Sequence, residues 1–182
     1  MPLFAGRAVL NGAAILLLLG NAAAQVATNR TCTELLQAQD AQAVAACKAQ
    51  LDEAERAPAT ERMARIVADD EYGIALLAVA HQPKQALPFL DREIALLPAS
   101  TVKPDSLQWA VAFWHRATAY QQLEQWEHAV ADLGTAEDTL TKGIAAAAGD
   151  EAIVRHFTEL RQRVRAQRAT VLHRIAAKGK SS

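Results

Sequence analysis

Residues 106–140 read SLQWAVAFWHRATAYQQLEQWEHAVADLGTAEDTL. Leu107, Val111, Trp114, Ala117 and Tyr120 recur at intervals of three or four, which places them on one face of a helix. Pro104 ends the loop before it, and Asp105 or Ser106 can accept hydrogen bonds from the orphan amides of the first turn. Past Glu124-Gln125, a second helix carries Ala129, Val130, Leu133, Ala136 and Leu140 on its inner side. So short a connection allows only an antiparallel hairpin.

The same unit is expected twice upstream. Glu61 to Ala80 reads as a helix, His81-Gln82-Pro83 as a turn, and Lys84 to Leu97 as a second helix closed by Pro98. Pro88 is compatible with that helix if it falls near the first turn, where a missing amide costs little. A third unit has a short helix from about Thr33, a turn near Gln39-Asp40 and a longer helix to about Arg56. In the three second helices, Ala43, Ala86 and Ala129 are equivalent at intervals of 43, each followed one turn later by Cys47, Leu90 or Leu133. A small residue there lets crossing helices approach closely. Residues 150–177 form a last helix with a stripe of Ile153, Phe157, Leu160, Val164, Val171 and Ile175. Arg161, Arg165 and Arg168 line an adjacent face, expected to lie in water while the helix caps the stack.

Composition agrees with helix: 41 alanines stand against 8 glycines and 6 prolines. The formal net charge of −1 offers no excess to attract nucleic acid. It is unevenly spread, at −4 over residues 25–100, −3 over 101–149 and +5 over 150–182, so an acidic body ends in a basic helix.

Residues 1–24 read as a secretory signal, with Arg7, an apolar segment Ala8 to Leu19, and Ala22-Ala23-Ala24 as the cleavage pattern before Gln25. The apolar segment is interrupted by Asn11 and is short of the roughly 20 residues of a spanning helix. Asn29-Arg30-Thr31 before Cys32 argues against lipidation. Cleavage is expected after Ala24, giving a periplasmic or secreted protein whose membrane contact is at most peripheral. An exported chain with two cysteines suggests one disulfide. Cys32 and Cys47 are equidistant from the Gln39-Asp40 turn, as residues facing each other across a hairpin must be.

Phe113 to Ala136, FWHRATAYQQLEQWEHAVADLGTA, resembles a tetratricopeptide repeat (TPR) through Phe113, Ala117, Tyr120, Trp126, Ala129, Leu133 and Ala136. Ala86 to Pro98 looks like the second half of another repeat, with Ala86, Leu90 and Pro98 in place. Glu93 stands where the family prefers a small residue, and the family period is about 34 residues, so helices or loops here must be longer. The resemblance implies an all-α fold: three antiparallel hairpins over residues 25–149 stacked as a short TPR-like solenoid, closed by the long helix of residues 150–182. It also implies a concave surface of first helices that binds peptides or proteins.

Chemistry is sparse. His81, His115, His128, His156 and His173 show no metal-ligand spacing, and no HExxH pattern occurs. GxSxG, SxxK and glycine-rich phosphate loops are absent too, so no enzyme, cofactor or metal is expected. His115 and Glu127-His128 read as surface residues. Asp69-Asp70-Glu71 reads as a solvated face, because three consecutive carboxylates radiate around a helix. Trp109 and Trp114 are about 140° apart around the axis, so one of them should contact a neighbouring hairpin or line the partner groove. The leading expectation is an exported scaffold for another envelope protein or peptide. The alternative is docking of the basic C-terminal helix on anionic lipid or glycan.

Overall fold

The computed structural model describes residues 30–100, 103 and 106–179. The signal segment with its cleavage after Ala24, and Asp105, lie outside them. Among the described residues there are seven α-helices and no strand: α1 (Cys32–Gln37), α2 (Ala43–Arg56), α3 (Arg62–Ile74), α4 (Pro83–Leu96), α5 (Leu107–Gln122), α6 (Trp126–Ala146) and α7 (Glu151–Gly179). α3 continues as a π-turn over Ala75–Val79, and α4 as a 3-10 turn over Leu97–Ala99 that holds Pro98.

Among the described residues, the non-glycine positions with positive φ are Gln39 (51°), His81 (54°) and Glu124 (57°). Each sits in the turn between two helices. Around Gln39, the Gln39 and Asp40 amides donate to the Leu36 and Leu35 carbonyls at 3.0 and 2.9 Å; around Glu124, the Glu124 and Gln125 amides donate to Gln121 and Tyr120 at 3.1 and 2.9 Å. This is the left-handed stop that ties off orphan carbonyls. After His81, the Gln82 amide reaches back six residues to Leu76 at 2.8 Å, because the preceding turn is π-wound. Residues equidistant from these turns meet. Asp69 meets Arg92, Arg116 meets Asp132, and the Tyr120 and His128 rings lie 5.0 Å apart. The helices of each pair are therefore antiparallel.

Ala43, Ala86, Ala129, Cys47, Leu90 and Leu133 are all fully buried. A Cβ on Gly73 would lie 2.7 Å from Leu90 Cδ2, so the missing side chain lets α3 close on α4. Besides its chain neighbours, α3 touches α1 and α5, and α5 touches α7. α5 is consequently buried on two sides. Ala110 and Ala117 pack on α6 and α7, while Ala112 and Ala119 pack on the second hairpin. Leu107, Val111, Phe113, Trp114, Tyr120 and Trp126 fill in around the first of these cores, each partly buried.

Three expectations change. Pro83 is the first residue of α4, which puts Pro88 in the second turn, in the helix interior. There it removes the partner of the Lys84 carbonyl, on a side where both residues are exposed to water. Ile153 does not join the stripe of α7 and is 43% exposed. The arginine face of α7 is not turned to water alone, because Arg165 Nε and Arg168 Nη1 reach Glu137 of α6 at 2.5 and 3.4 Å. Ser106 caps α5 as expected, accepting from the Trp109 amide at 3.4 Å, and Asp150 caps α7 through the amides of Ala152 and Ile153.

The sulfurs of Cys32 and Cys47 lie 2.06 Å apart, the separation of a disulfide, and join α1 to α2. With only six residues, α1 cannot hold itself by helix propensity. Replacing both cysteines by serine should lower the unfolding free energy by about 3 kcal/mol in the chain-entropy account of a loop this size. Urea unfolding measures it, and amide exchange in α1 should rise first; an unchanged midpoint contradicts the role of the bond.

Candidate functional site

The polar side chains that the sequence scatters come together where α3, α4 and α5 meet. Asp69, Asp70 and Glu71 do radiate, but each points at a different helix. Asp69 takes Arg92 Nε and Nη2 of α4 at 2.9 and 2.5 Å; Asp70 takes His115 Nδ1 of α5 at 2.6 Å. Glu71 accepts from Thr33 of α1 at 2.5 Å and from Gln50 of α2. The solvated-face reading is thus overturned, since Asp69 is fully buried and the other two partly so. Its geometric premise holds; what it lacked was neighbours on every side. His115 is half-buried, with 22% of its side chain exposed, and is held by Asp70 where a fully solvated ring was expected.

Glu93 completes the cluster. It is fully buried, and its Oε1 accepts from Gln108 Nε2 at 2.8 Å. Burial first, and then the charge of Asp70, push its carboxyl up to about 9, while Gln108 opposes the shift. As a carboxylate, Glu93 would leave Oε2 buried with no partner. As the acid, it donates to Asp70. Asp70 then accepts from both Glu93 and the His115 ring, and the chain Gln108–Glu93–Asp70–His115 spans three helices. The residue that departs from the repeat pattern is the one through which α4 enters this chain.

Arg116 forms a second junction. Its Nε and Nη2 fork onto both oxygens of Asp132 at 2.8 Å, and its Nη1 meets Asp91 at 2.8 Å, with the guanidinium over the Phe113 and Tyr120 rings. Both junctions hold helices in register. Among the described residues, no group of three His, Cys, Asp or Glu side chains is placed to hold a metal ion, and no helix is long and apolar enough to cross a membrane.

Trp109 packs with Ile66, Leu97 and Ala112 where the second hairpin meets the third, and stacks on Phe113 at 6.3 Å. Trp114 packs on the α5–α7 core and donates from Nε1 to Gln167 Oε1 of α7 at 2.6 Å. Beside Gln167 lies a recess of about 290 Å³ between α5, the start of α6 and α7, lined by Gln121, Gln122, Trp126, Gln167, Thr170 and Arg174 among others. A second depression of about 470 Å³ lies between α2 and α3, where Met63 and Val67 are 37% and 39% exposed. The amides of the recess carry no motif in sequence, because Gln121 and Gln167 are 46 residues apart.

Two measurements check the network. Because Glu93 ionises far above its ordinary value of 4.5, the folded state loses stability as pH rises from about 4.5 toward about 9. E93Q keeps a donor toward Asp70 and cannot ionise, so it should flatten that slope and melt above the wild type at pH 9. Equal slopes contradict the assignment. The Asp69–Arg92 pair should be asymmetric, since the Asp69 side chain is 1% exposed and that of Arg92 42%. R92A strands a buried carboxylate and should cost roughly 2–4 kcal/mol, whereas D69A leaves an arginine that keeps Glu55 and water, and should cost less. Chemical denaturation gives the order.

Set beside known family models, curated proteins and solved structures, the chain matches none of them, and its function is read from the arrangement of its own residues.

Proposed function

We propose that the protein is an exported TPR-like scaffold that binds another envelope protein or a peptide. The observation that carries this reading is the sequence of neighbours α1, α3, α5 and α7, the first helices and the closing helix, with an amide-lined recess between α5 and α7. The burial of Ala43, Ala86 and Ala129 supports treating the hairpins as repeats. The Cys32–Cys47 pair supports an oxidising compartment, and with it the reading of residues 1–24 as a signal. Trp114 serves the groove indirectly, through Gln167.

Docking of α7 on an anionic surface has less support, because Arg165 and Arg168 are directed at Glu137, and Arg174 lies over Trp126 at 5.4 Å. The test is a pull-down from an envelope extract, with the retained protein identified by mass spectrometry and its binding repeated with purified components. A discrete partner whose affinity changes little between low and high salt is expected. Retention by anionic vesicles alone, lost steeply with salt, contradicts the scaffold reading.

A further inference from the structure

We propose that copies of this chain associate head to tail, with Leu172 on α7 of one copy seated in the depression between α2 and α3 of the next. Among the described residues, the large apolar side chains left exposed are Met63, Val67, Ile153 and Leu172. Two of them, Met63 and Val67, stand in that depression beside Ala57 and Ala64, and the charged side chains that line it are Glu53 and Glu61. Arg65 is held at the end of α2 by the carbonyls of Ala54 and Ala57, at 3.2 and 2.9 Å, and does not line it. The depression is therefore an apolar seat with an acidic rim.

Leu172 has the opposite charge around it. Arg161, Arg165, Arg168 and Leu172 follow one another at spacings of four, three and four, so they form one row along α7. Arg165 and Arg168 have 55% and 40% of their side chains exposed, and Glu137, which both reach, balances one of the two. Ala169 and Ala176, both exposed, flank Leu172 on the helix, so the leucine stands above its surroundings. Within one chain α7 packs on α6 and α5, at the other end of the order of helices from α2 and α3, so seat and leucine come together only between copies. Because the two surfaces differ, each contact leaves one open seat and one free Leu172, and the assembly grows unless it closes into a ring. Ile153 lies about 28 Å along the axis from Leu172 and about 100° around it, and takes no part. One leucine with its neighbouring charges makes a small interface, and a dissociation constant of roughly 10–500 µM is expected.

The test is sedimentation velocity on the full chain over a concentration series reaching about 1 mM. The wild type should sediment faster as concentration rises, and less so when salt is raised from about 0.05 to about 0.5 M. V67D and L172D replace exposed residues, so both should keep the wild-type melting temperature, and each should weaken association at least about tenfold. Should either fail to fold, V67Q or L172Q takes its place. An equimolar mixture of V67D and L172D separates this geometry from others, because each variant retains the half that the other has lost. The mixture should form one-to-one dimers and nothing larger. A wild type that stays monomeric, association lost in one variant alone or in neither, or a mixture that stays monomeric overturns the head-to-tail contact.

Discussion

Three consecutive carboxylates on one helix cannot share a partner, because successive side chains are turned by about 100°. In this protein that constraint organises the fold. Asp69, Asp70 and Glu71 each engage a different neighbour of α3: Arg92 on α4, His115 on α5, and Thr33 with Gln50 on α1 and α2. α3 is thus tied to the helices around it at one level of its axis, and the first and third hairpins take their positions from the second. A buried carboxylate with no partner is expensive, so each bond excludes alternative registers as well as stabilising the observed one.

Such ties matter more in a core built of small residues. Ala43, Ala68, Ala75, Ala86, Ala110, Ala112, Ala117, Ala119, Ala129 and Ala136 are all buried, and alanine faces slide past one another with little steric preference. Directional polar contacts supply the missing specificity at the other boundaries too. Arg116 joins α5 to Asp91 and Asp132, and Glu137 receives Arg165 and Arg168. Glu93 shows the same logic in neutral form, occupying as an acid a position where an ionised group would be stranded.

The contact between α5 and α7 is fixed by polar side chains in the same way. There an obligate donor, the Trp114 indole, sets the direction of a chain of amides that runs through Gln167 to Gln121.

The helices were legible in sequence because they depend on local patterns. The spacing of Leu107 to Leu140, the prolines and the Ser106 cap locate α5 and α6, and the burial of Ala43, Ala86 and Ala129 follows from the interval between them. The Cys32–Cys47 pairing was legible for a related reason, since a hairpin makes facing residues equidistant from its turn. Pro88 and Ile153 were misplaced by a few residues at helix ends, where periodicity has least to act on. What sequence could not decide is where polar side chains go. Asp69–Arg92, Asp70–His115 and Gln121–Gln167 are separated by 23, 45 and 46 residues, and no spacing rule links residues on helices whose relative rotation is set by packing. A carboxylate run on an isolated helix belongs in water; the same run on a helix surrounded by four others becomes the frame of the molecule, and only the tertiary structure distinguishes the two.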